Sequence, residues 1–250
     1  MLVDAHTHLD HYEPGQLPEV LAEIDRLDVL TLANSLHLDS YRRNLEIARD
    51  NPRIVVGLGV HPWHAAAWVE RLAELEPYLA AAPFFGEIGL DFHWVEEPAT
   101  YPAQREVFDF FLAAARELDR PVNLHTKGAE AEILARLDHF GIRRAIIHWY
   151  SGPLDPFTAL VERGYAFTVG VEVLHSDAIR ELARRIPLDQ LLTETDGPTG
   201  LAWLTGEPGY PHHLVDVLAE LARLRGEREE ILQEAVAQNA QRLLGLSAHL

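Results

Sequence analysis

The chain contains no cysteine, which removes disulfides, thiolate zinc sites and a cysteine nucleophile together. It is almost as poor in lysine: of 21 basic side chains, only Lys127 is not arginine. Against them stand 39 acidic residues, giving a formal charge of −18. A broad, sequence-blind grip on nucleic acid neutralises phosphates with many basic side chains, and this balance argues against one. A small nucleic-acid site whose positive charge comes from metal ions is compatible with it. Methionine occurs once, so no Met-lined groove is present. No apolar run approaches the ~18 residues of a membrane span. The start, Met1-Leu2-Val3-Asp4-Ala5-His6, has neither a basic region nor an apolar run of signal-peptide length. A cytoplasmic protein without membrane association is the default expectation. Also missing are a Gly-x-Ser-x-Gly elbow, a P-loop and a Gly-x-Gly-x-x-Gly after a strand.

What is present fits a folded domain. Across 250 residues, 48% are hydrophobic and 24% charged, values that make disorder a poor reading. Short apolar runs alternate with amphipathic stretches. The runs are Leu2–Ala5, Val29–Ala33, Ile54–Val60, Phe84–Leu90, Val122–Leu124, Ala145–Ile147, Tyr165–Val169 and Leu191–Thr195; each reads as a strand buried on both faces. Helical patterns cover roughly 17–27, 39–50, 68–81, 101–119, 128–140, 155–163, 176–186, 211–225 and 227–244. Strands interleaved with helices imply parallel pairing through right-handed crossovers. The count and length fit an α/β fold of one domain over residues 1–250, a single (β/α)8 TIM barrel with its metal site at the C-terminal face. The Gly- and Pro-rich segment 198–210 reads as a long loop after the eighth strand.

Six ligand-type residues fall at or just past the carboxyl ends of five of those strands: His6 and His8, Glu87, His125, His148 and Asp196. In a barrel these ends surround one mouth. His6 and His8 lie two apart on extended chain and point the same way. Imidazole with carboxylate suits Zn²⁺, Mn²⁺ or Fe²⁺, and less exclusively Mg²⁺. Glu87, in Gly86-Glu87-Ile88-Gly89-Leu90-Asp91, is costly to bury unless paired or coordinated. The alternative is an ion pair with an arginine. The set is large enough for two divalent ions, with His6, His8 and Asp196 on one, His125 and His148 on the other, and Glu87 shared. Asp196, in Glu194-Thr195-Asp196-Gly197-Pro198, can ligate a metal, orient water or accept its proton. The alternative, a Thr-Asp-Gly-Pro turn held by local hydrogen bonding alone, is weakened by the strand-final position on the last strand.

A second tier concerns substrate. His61, in Gly59-Val60-His61-Pro62, is expected to bind substrate or move a proton, or else is a structural histidine beside proline. Lys127, two residues past His125, is placed for an anionic group, or is a solvated loop lysine. Ser151 can offer its hydroxyl to a phosphate. Trp63, Trp94, Trp149 and Trp203 lie in strand-end or loop segments where aromatics can stack on bases; ordinary packing is the alternative for each.

Taken in order, Asp4-Ala5-His6-Thr7-His8-Leu9-Asp10, Gly59-Val60-His61-Pro62, Gly86-Glu87-Ile88-Gly89-Leu90-Asp91, Pro121-Val122-Asn123-Leu124-His125-Thr126, His148-Trp149-Tyr150-Ser151-Gly152 and Glu194-Thr195-Asp196-Gly197-Pro198 resemble the TatD-related metal-dependent hydrolases. The likeness runs to the Asn239-x-x-Arg242-Leu243-Leu244 ending. It implies a TIM barrel of the amidohydrolase-like superfamily, one to three divalent metals, and deoxyribonuclease activity, often 3′→5′ trimming of single strands. The family's metal ligands fall on His6, His8, Glu87, His125, His148 and Asp196. Departures lie in the substrate shell: Phe92-His93-Trp94 replaces a Tyr-containing pattern, Lys127 stands where Arg is common, Phe111 where Gln is common, and 199–212 lacks Arg-Asn-x-Pro.

The resulting expectation is a monomeric, divalent-metal-dependent phosphodiesterase, a deoxyribonuclease acting on DNA ends or single strands. Asp196 and Glu87 would position the attacking water, while His61 and Lys127 contact the phosphate. Rival readings are an amidohydrolase or lactonase for a small carbonyl substrate, and a non-catalytic metal-binding partner within a complex.

Overall fold

The structure, a computed structural model, describes residues 1–246. Among them are eight strands: β1 (Leu2–Thr7), β2 (Val29–Ala33), β3 (Ile54–Val56), β4 (Phe85–Asp91), β5 (Val122–Lys127), β6 (Ala145–Ile147), β7 (Ala166–Val169) and β8 (Leu191–Thr193). The α-helices are α1 (Leu17–Arg26), α2 (Leu38–Ala48), α3 (Ala65–Trp68), α4 (Glu76–Leu79), α5 (Tyr101–Leu118), α6 (Glu130–Phe140), α7 (Leu154–Glu162), α8 (Asp177–Arg185), α9 (Thr199–Thr205), α10 (His213–Arg225) and α11 (Glu229–Leu244). Consecutive strands pair in parallel, with helices in the connections. This is an α/β fold with the element order of a (β/α)8 barrel. No helix among the described residues is long and apolar enough to cross a membrane.

The residues group into two compact units. The first comprises Met1–Ala33, Glu46–Val55 and the chain from Ala166 onward. In it β1 pairs with β2 from Leu2↔Val29 to Thr7↔Ala33, and β7 pairs with β8 from Phe167↔Leu191 to Val169↔Thr193. Just past β8, the Asp196 N–H donates to the His6 carbonyl at 2.9 Å, bringing the ends of β8 and β1 together. Leu214, Val217 and Leu221 of α10 and Leu232 and Val236 of α11 are buried, at the three- and four-residue spacing of an apolar helix face. The Asn239 amide donates to the carbonyls of Leu188 and Leu191 at 2.8 and 2.9 Å, which holds α11 to the start of β8.

The second unit comprises Asn34–Leu45 and Val56–Tyr165. Leu58 bridges Phe85 in parallel, and β4 pairs with β5 through Gly89↔His125 and Asp91↔Lys127. Strand β6 continues the sheet, with Leu124↔Ile147. Helix α5 buries Gln104, Val107, Phe108, Phe111 and Leu112 on one face, and the Phe111 ring lies 5.6 Å from that of Phe85. All seven residues of β4 are buried, so the apolar run works as a two-sided core strand. Its two carboxylates, Glu87 and Asp91, are exceptions that require partners.

Two local expectations change. The stretch 68–81 is not one helix: α3 passes into a 3-10 turn at Val69–Glu74, and α4 starts afresh. Pro77, in the first turn of α4, has no N–H to donate back to the preceding turn, so the helical hydrogen-bond ladder is interrupted there. The segment 198–210 contains α9 rather than being loop throughout. Pro198 precedes its first turn, and Gly206 ends it at φ +87°, its N–H reaching the Ala202 carbonyl at 2.9 Å. The density of Gly and Pro marked the ends of a short helix and obscured the apolar residues between them.

Candidate metal centre

In the first unit, β1 delivers His6, His8 directly follows the strand, and the turn after β8 delivers Asp196. The two imidazole Nε2 atoms are 3.3 Å apart. They lie 3.8 Å (His6) and 3.5 Å (His8) from Asp196 Oδ1. All three side chains are buried or nearly so. Zinc-to-ligand bonds of about 2.1 Å in tetrahedral geometry place neighbouring donors about 3.4 Å apart, so these separations match the edges of a coordination polyhedron. Asp196 is held at φ +47°, a left-handed conformation that a non-glycine residue adopts at a cost of roughly 1–3 kcal/mol.

Behind this group sits Asp4, on β1 and 2% exposed. Its carboxylate accepts the Thr195 N–H at 2.9 Å and the Thr195 hydroxyl at 2.6 Å. Burial pushes the Asp4 carboxyl up to about 7, although the two Thr195 hydrogen bonds pull the other way. Asp4 thereby joins the ends of β1 and β8, the two elements that carry the donors.

In the second unit, three imidazoles surround one carboxylate oxygen. Glu87 Oε1 lies 2.9 Å from His125 Nδ1, 3.4 Å from His61 Nε2 and 3.6 Å from His148 Nε2. His61 Nε2 and His125 Nδ1 are 3.2 Å apart. Donor atoms of His61, Glu87 and His125 all fall within 4.8 Å of one another. Glu87 is 2% exposed, and His61, His125 and His148 are ion-pair partners of its carboxylate. A carboxylate and several imidazoles buried at such separations suit a divalent cation, which also meets the charge that burial makes costly.

The opposite edge of the His125 ring meets a residue that strand-end reasoning did not single out. His125 Nε2 and the Trp63 indole Nε1–H both approach Asp91 Oδ2, at 2.9 and 2.7 Å. Asp91 Oδ1 accepts the backbone N–H groups of His93 and Trp94 at 2.9 and 2.7 Å. Gln104 clamps the Asp91 backbone from α5, accepting its N–H at 2.8 Å and donating to its carbonyl at 3.1 Å. Burial would raise the Asp91 carboxyl, but the His125, Trp63 and Trp94 hydrogen bonds prevail and hold it well below the usual carboxylate range. Burial likewise works to lower His125, and its contacts with Asp91 and Glu87 outweigh it and raise it. A carboxylate on the far nitrogen of a ligating histidine fixes ring orientation and tautomer.

Of the substrate-side residues, Lys127 and Ser151 come together at the ends of β5 and β6. Lys127 Nζ donates to Ser151 Oγ at 2.9 Å and to the Trp149 carbonyl at 2.6 Å. Trp149 adopts φ +40°, turning the chain directly after His148. Trp63 and Trp94 are about half exposed, 48% and 57%, and neither indole is a core residue. Trp203, on α9, is 60% exposed.

A parallel α/β chain with buried histidine–carboxylate groups at its strand ends is, by class, a metal-dependent hydrolase. A family model described as "TatD related DNase" matches residues 3–245. The chain belongs to that family. It is 32% identical over 265 residues to the uncharacterized metal-dependent hydrolase YcfH of Escherichia coli K12, covering 99% of this chain and 97% of that one. It is 34% identical over 207 residues to the 3′-5′ ssDNA/RNA exonuclease TatD of Pantoea ananatis, covering 75% of this chain and 76% of that one. Among solved structures, the TatD homologue YjjV of Escherichia coli K12 superposes with a TM-score of 0.86 at 27% identity, covering 98% of each chain.

Proposed function

We propose that this chain is a divalent-metal-dependent phosphodiesterase that trims single-stranded DNA or RNA from a free end, 3′→5′, acting as a monomer in the cytoplasm with residues 1–250 as one domain. The observation that carries the reading is the pair of buried donor groups, His6–His8–Asp196 in one unit and Glu87–His125–His148 with His61 in the other. The relative named as an ssDNA/RNA exonuclease supports the substrate class. About two ions, Zn²⁺, Mn²⁺ or Mg²⁺, would be held by these residues. Such ions supply Lewis-acid polarisation of the phosphoryl group and an acidified water.

The chain's own groups have distinct tasks. Asp196, a carboxylate at a strand end, accepts the proton of the attacking water. Glu87, within its ring of imidazoles, is a water-orienting carboxylate of the second unit. His61 and Lys127 bind the phosphate, and the Ser151 hydroxyl beside Lys127 donates to a phosphoryl oxygen. With one lysine and a net charge of −18, few phosphates are neutralised. Affinity for single strands should then fall with salt as two or three contacts, at about −0.7 each on a log–log plot.

The test is a substrate panel with metal-loaded protein: an end-labelled single strand, the matching blunt duplex, a closed circular duplex and a small aryl lactone. Stepwise shortening of the single strand, with the circle intact, is the expected result. A steep salt dependence or cutting of the circle would contradict the end-directed reading. Lactone hydrolysis with no nuclease activity in Mg²⁺, Mn²⁺ or Zn²⁺ would replace it with the small-carbonyl hydrolase.

A further inference from the structure

The acidic surplus of the chain is not spread evenly. Where α5 gives way to β5 and α6 to β6, arginine gathers: Arg116, Arg120, Arg143 and Arg144 line a cavity of ≈ 230 Å³. Asp119 is the one acid among the described residues that line it, and Ile142 is buried in its wall. Backbone geometry brings these residues together. Arg116 lies in the last turn of α5. Asp119 takes φ +49°, a left-handed conformation that aspartate tolerates better than most residues, and the Arg120 N–H reaches back to the Ala115 carbonyl at 2.9 Å. The Val122 N–H donates to the Arg144 carbonyl at 3.1 Å, and Val122 pairs with Ala145, so the two arginine-bearing turns lie side by side. This is the amino end of β5 and β6, whereas His125 and His148 stand towards the carboxyl ends of the same strands.

Asp119 meets only part of this charge. Arg143 Nη2 donates to Asp119 Oδ1 at 2.7 Å, and Arg144 Nη2 lies 3.5 Å from Oδ2. Arg143 and Asp119 are both exposed, where such a pair is worth little. Arg116 and Arg120 have no acidic partner among the described residues. One Arg120 Nη donates to the Ala80 carbonyl at 3.3 Å, while its Nε is buried with no hydrogen-bond partner among the described residues. Like charges around one cavity repel, and a seated anion relieves that repulsion. An arginine in the last turn of a helix offsets the helix dipole, which accounts for Arg116 but not for four guanidiniums around one cavity.

We propose that this cavity is a binding site for a small phosphate-class oxyanion, separate from the metal centre. Planar guanidinium forks match the oxygens of a tetrahedral dianion through paired, charge-assisted hydrogen bonds. Four forks against one carboxylate suit a group carrying two charges or more. At ≈ 230 Å³ the cavity is smaller than the roughly 300–1,000 Å³ of drug-sized pockets. It therefore takes the phosphate group itself, free or at the end of a monoester, rather than a whole nucleotide. Arg116 and Arg120 supply charge that no carboxylate offsets, and Arg143 is shared with Asp119. The Asp119 carboxylate is the internal competitor, contending with the ion for Arg143 and Arg144.

The probe is inorganic phosphate, titrated by calorimetry into the metal-loaded protein and into the same protein after chelation. Saturable binding should survive chelation, because none of the candidate metal ligands lines the cavity. In the chelated protein, Arg116→Gln and Arg120→Gln should each weaken it about ten-fold, the effect of losing one charge-assisted hydrogen bond. Asp119→Asn, which keeps a residue suited to the left-handed turn, should tighten it. Thermal unfolding separates a lost site from a lost fold. Phosphate should raise the wild-type midpoint and raise that of Arg116→Gln less, and Arg116 is exposed on α5, where the substitution leaves the core intact. Ribose 5-phosphate is the second probe: affinity equal to or above that of phosphate assigns the site to a monoester, and lower affinity assigns it to the free ion. No saturable phosphate binding in the wild type, binding that disappears with the metal, unchanged affinity in both arginine variants, or weaker binding in Asp119→Asn would overturn the site, whatever the nuclease assays show.

Discussion

Asp91 Oδ2 lies 2.9 Å from His125 Nε2, while His125 Nδ1 lies 2.9 Å from Glu87 Oε1. One imidazole is therefore gripped by carboxylates at both nitrogens, with Nδ1 facing the other candidate ligands and Nε2 facing its support. In the metal-free protein this favours the doubly protonated ring. On metal binding, Nδ1 must give up its proton while Nε2–H remains on Asp91.

Replacing Asp91 by asparagine should therefore weaken metal binding in the second unit by about 10- to 100-fold, the usual effect of removing such a support. Competition titration against a chromophoric chelator measures it. Unchanged affinity would make Asp91 a purely structural residue of the 92–94 turn.

Asp4 gives a pH prediction. Its carboxyl, raised from 3.8 to about 7 by burial, holds its proton more tightly folded than unfolded. Its contribution to stability is thus fully present below pH ~4 and lost as pH rises through about 7. Across that window the metal-free wild type should lose about 1.4 kcal/mol per pH unit relative to Asp4→Asn, the value of one proton's linkage. The asparagine can still meet both Thr195 groups. Urea midpoints of both proteins at pH 5 and pH 8 check this, and parallel profiles would show that Asp4 is not the group responsible.

Gly89 occupies the centre of the site-bearing strand at φ +144°, where an added Cβ would fall 2.1 Å from the His125 carbonyl oxygen. Gly89→Ala combines a disfavoured backbone conformation with a backbone clash, and should destabilise by about 3 kcal/mol or more. Thermal and urea unfolding read this directly. A neutral substitution would mean that β4 and β5 can separate without loss, contrary to the register Gly89↔His125.

Much of this was legible in the residues. Val29–Ala33 and Ala145–Ile147 coincide with β2 and β6 because continuous β-branched and aliphatic runs leave no other way to bury both faces. The bounds of β4 and β5 ran further than their apolar cores, to Asp91 and Lys127. There the ladder, not hydrophobicity, decides where the strand ends. That is also why Asp91 escaped notice: its role depends on His125 and Trp63, 34 and 28 positions away, and no local pattern encodes such a meeting. Asp4 was hidden in the same way, its partner Thr195 lying 191 positions along the chain. Alternation cannot report such pairings, whereas His6 and His8 were visible because their relation is local.

The central claim is that the two histidine–carboxylate groups hold the ions on which phosphodiester cleavage depends. The most direct measurement is the metal content of purified protein, taken alongside its cleavage of an end-labelled single strand, for the wild type and Asp196→Asn. About two divalent ions per wild-type chain are expected, with cleavage lost on chelation and restored by Mn²⁺ or Zn²⁺. The Asp196→Asn protein should be folded and show no turnover in excess metal. Cleavage that persists after the metal is removed, or full activity in Asp196→Asn, would contradict it.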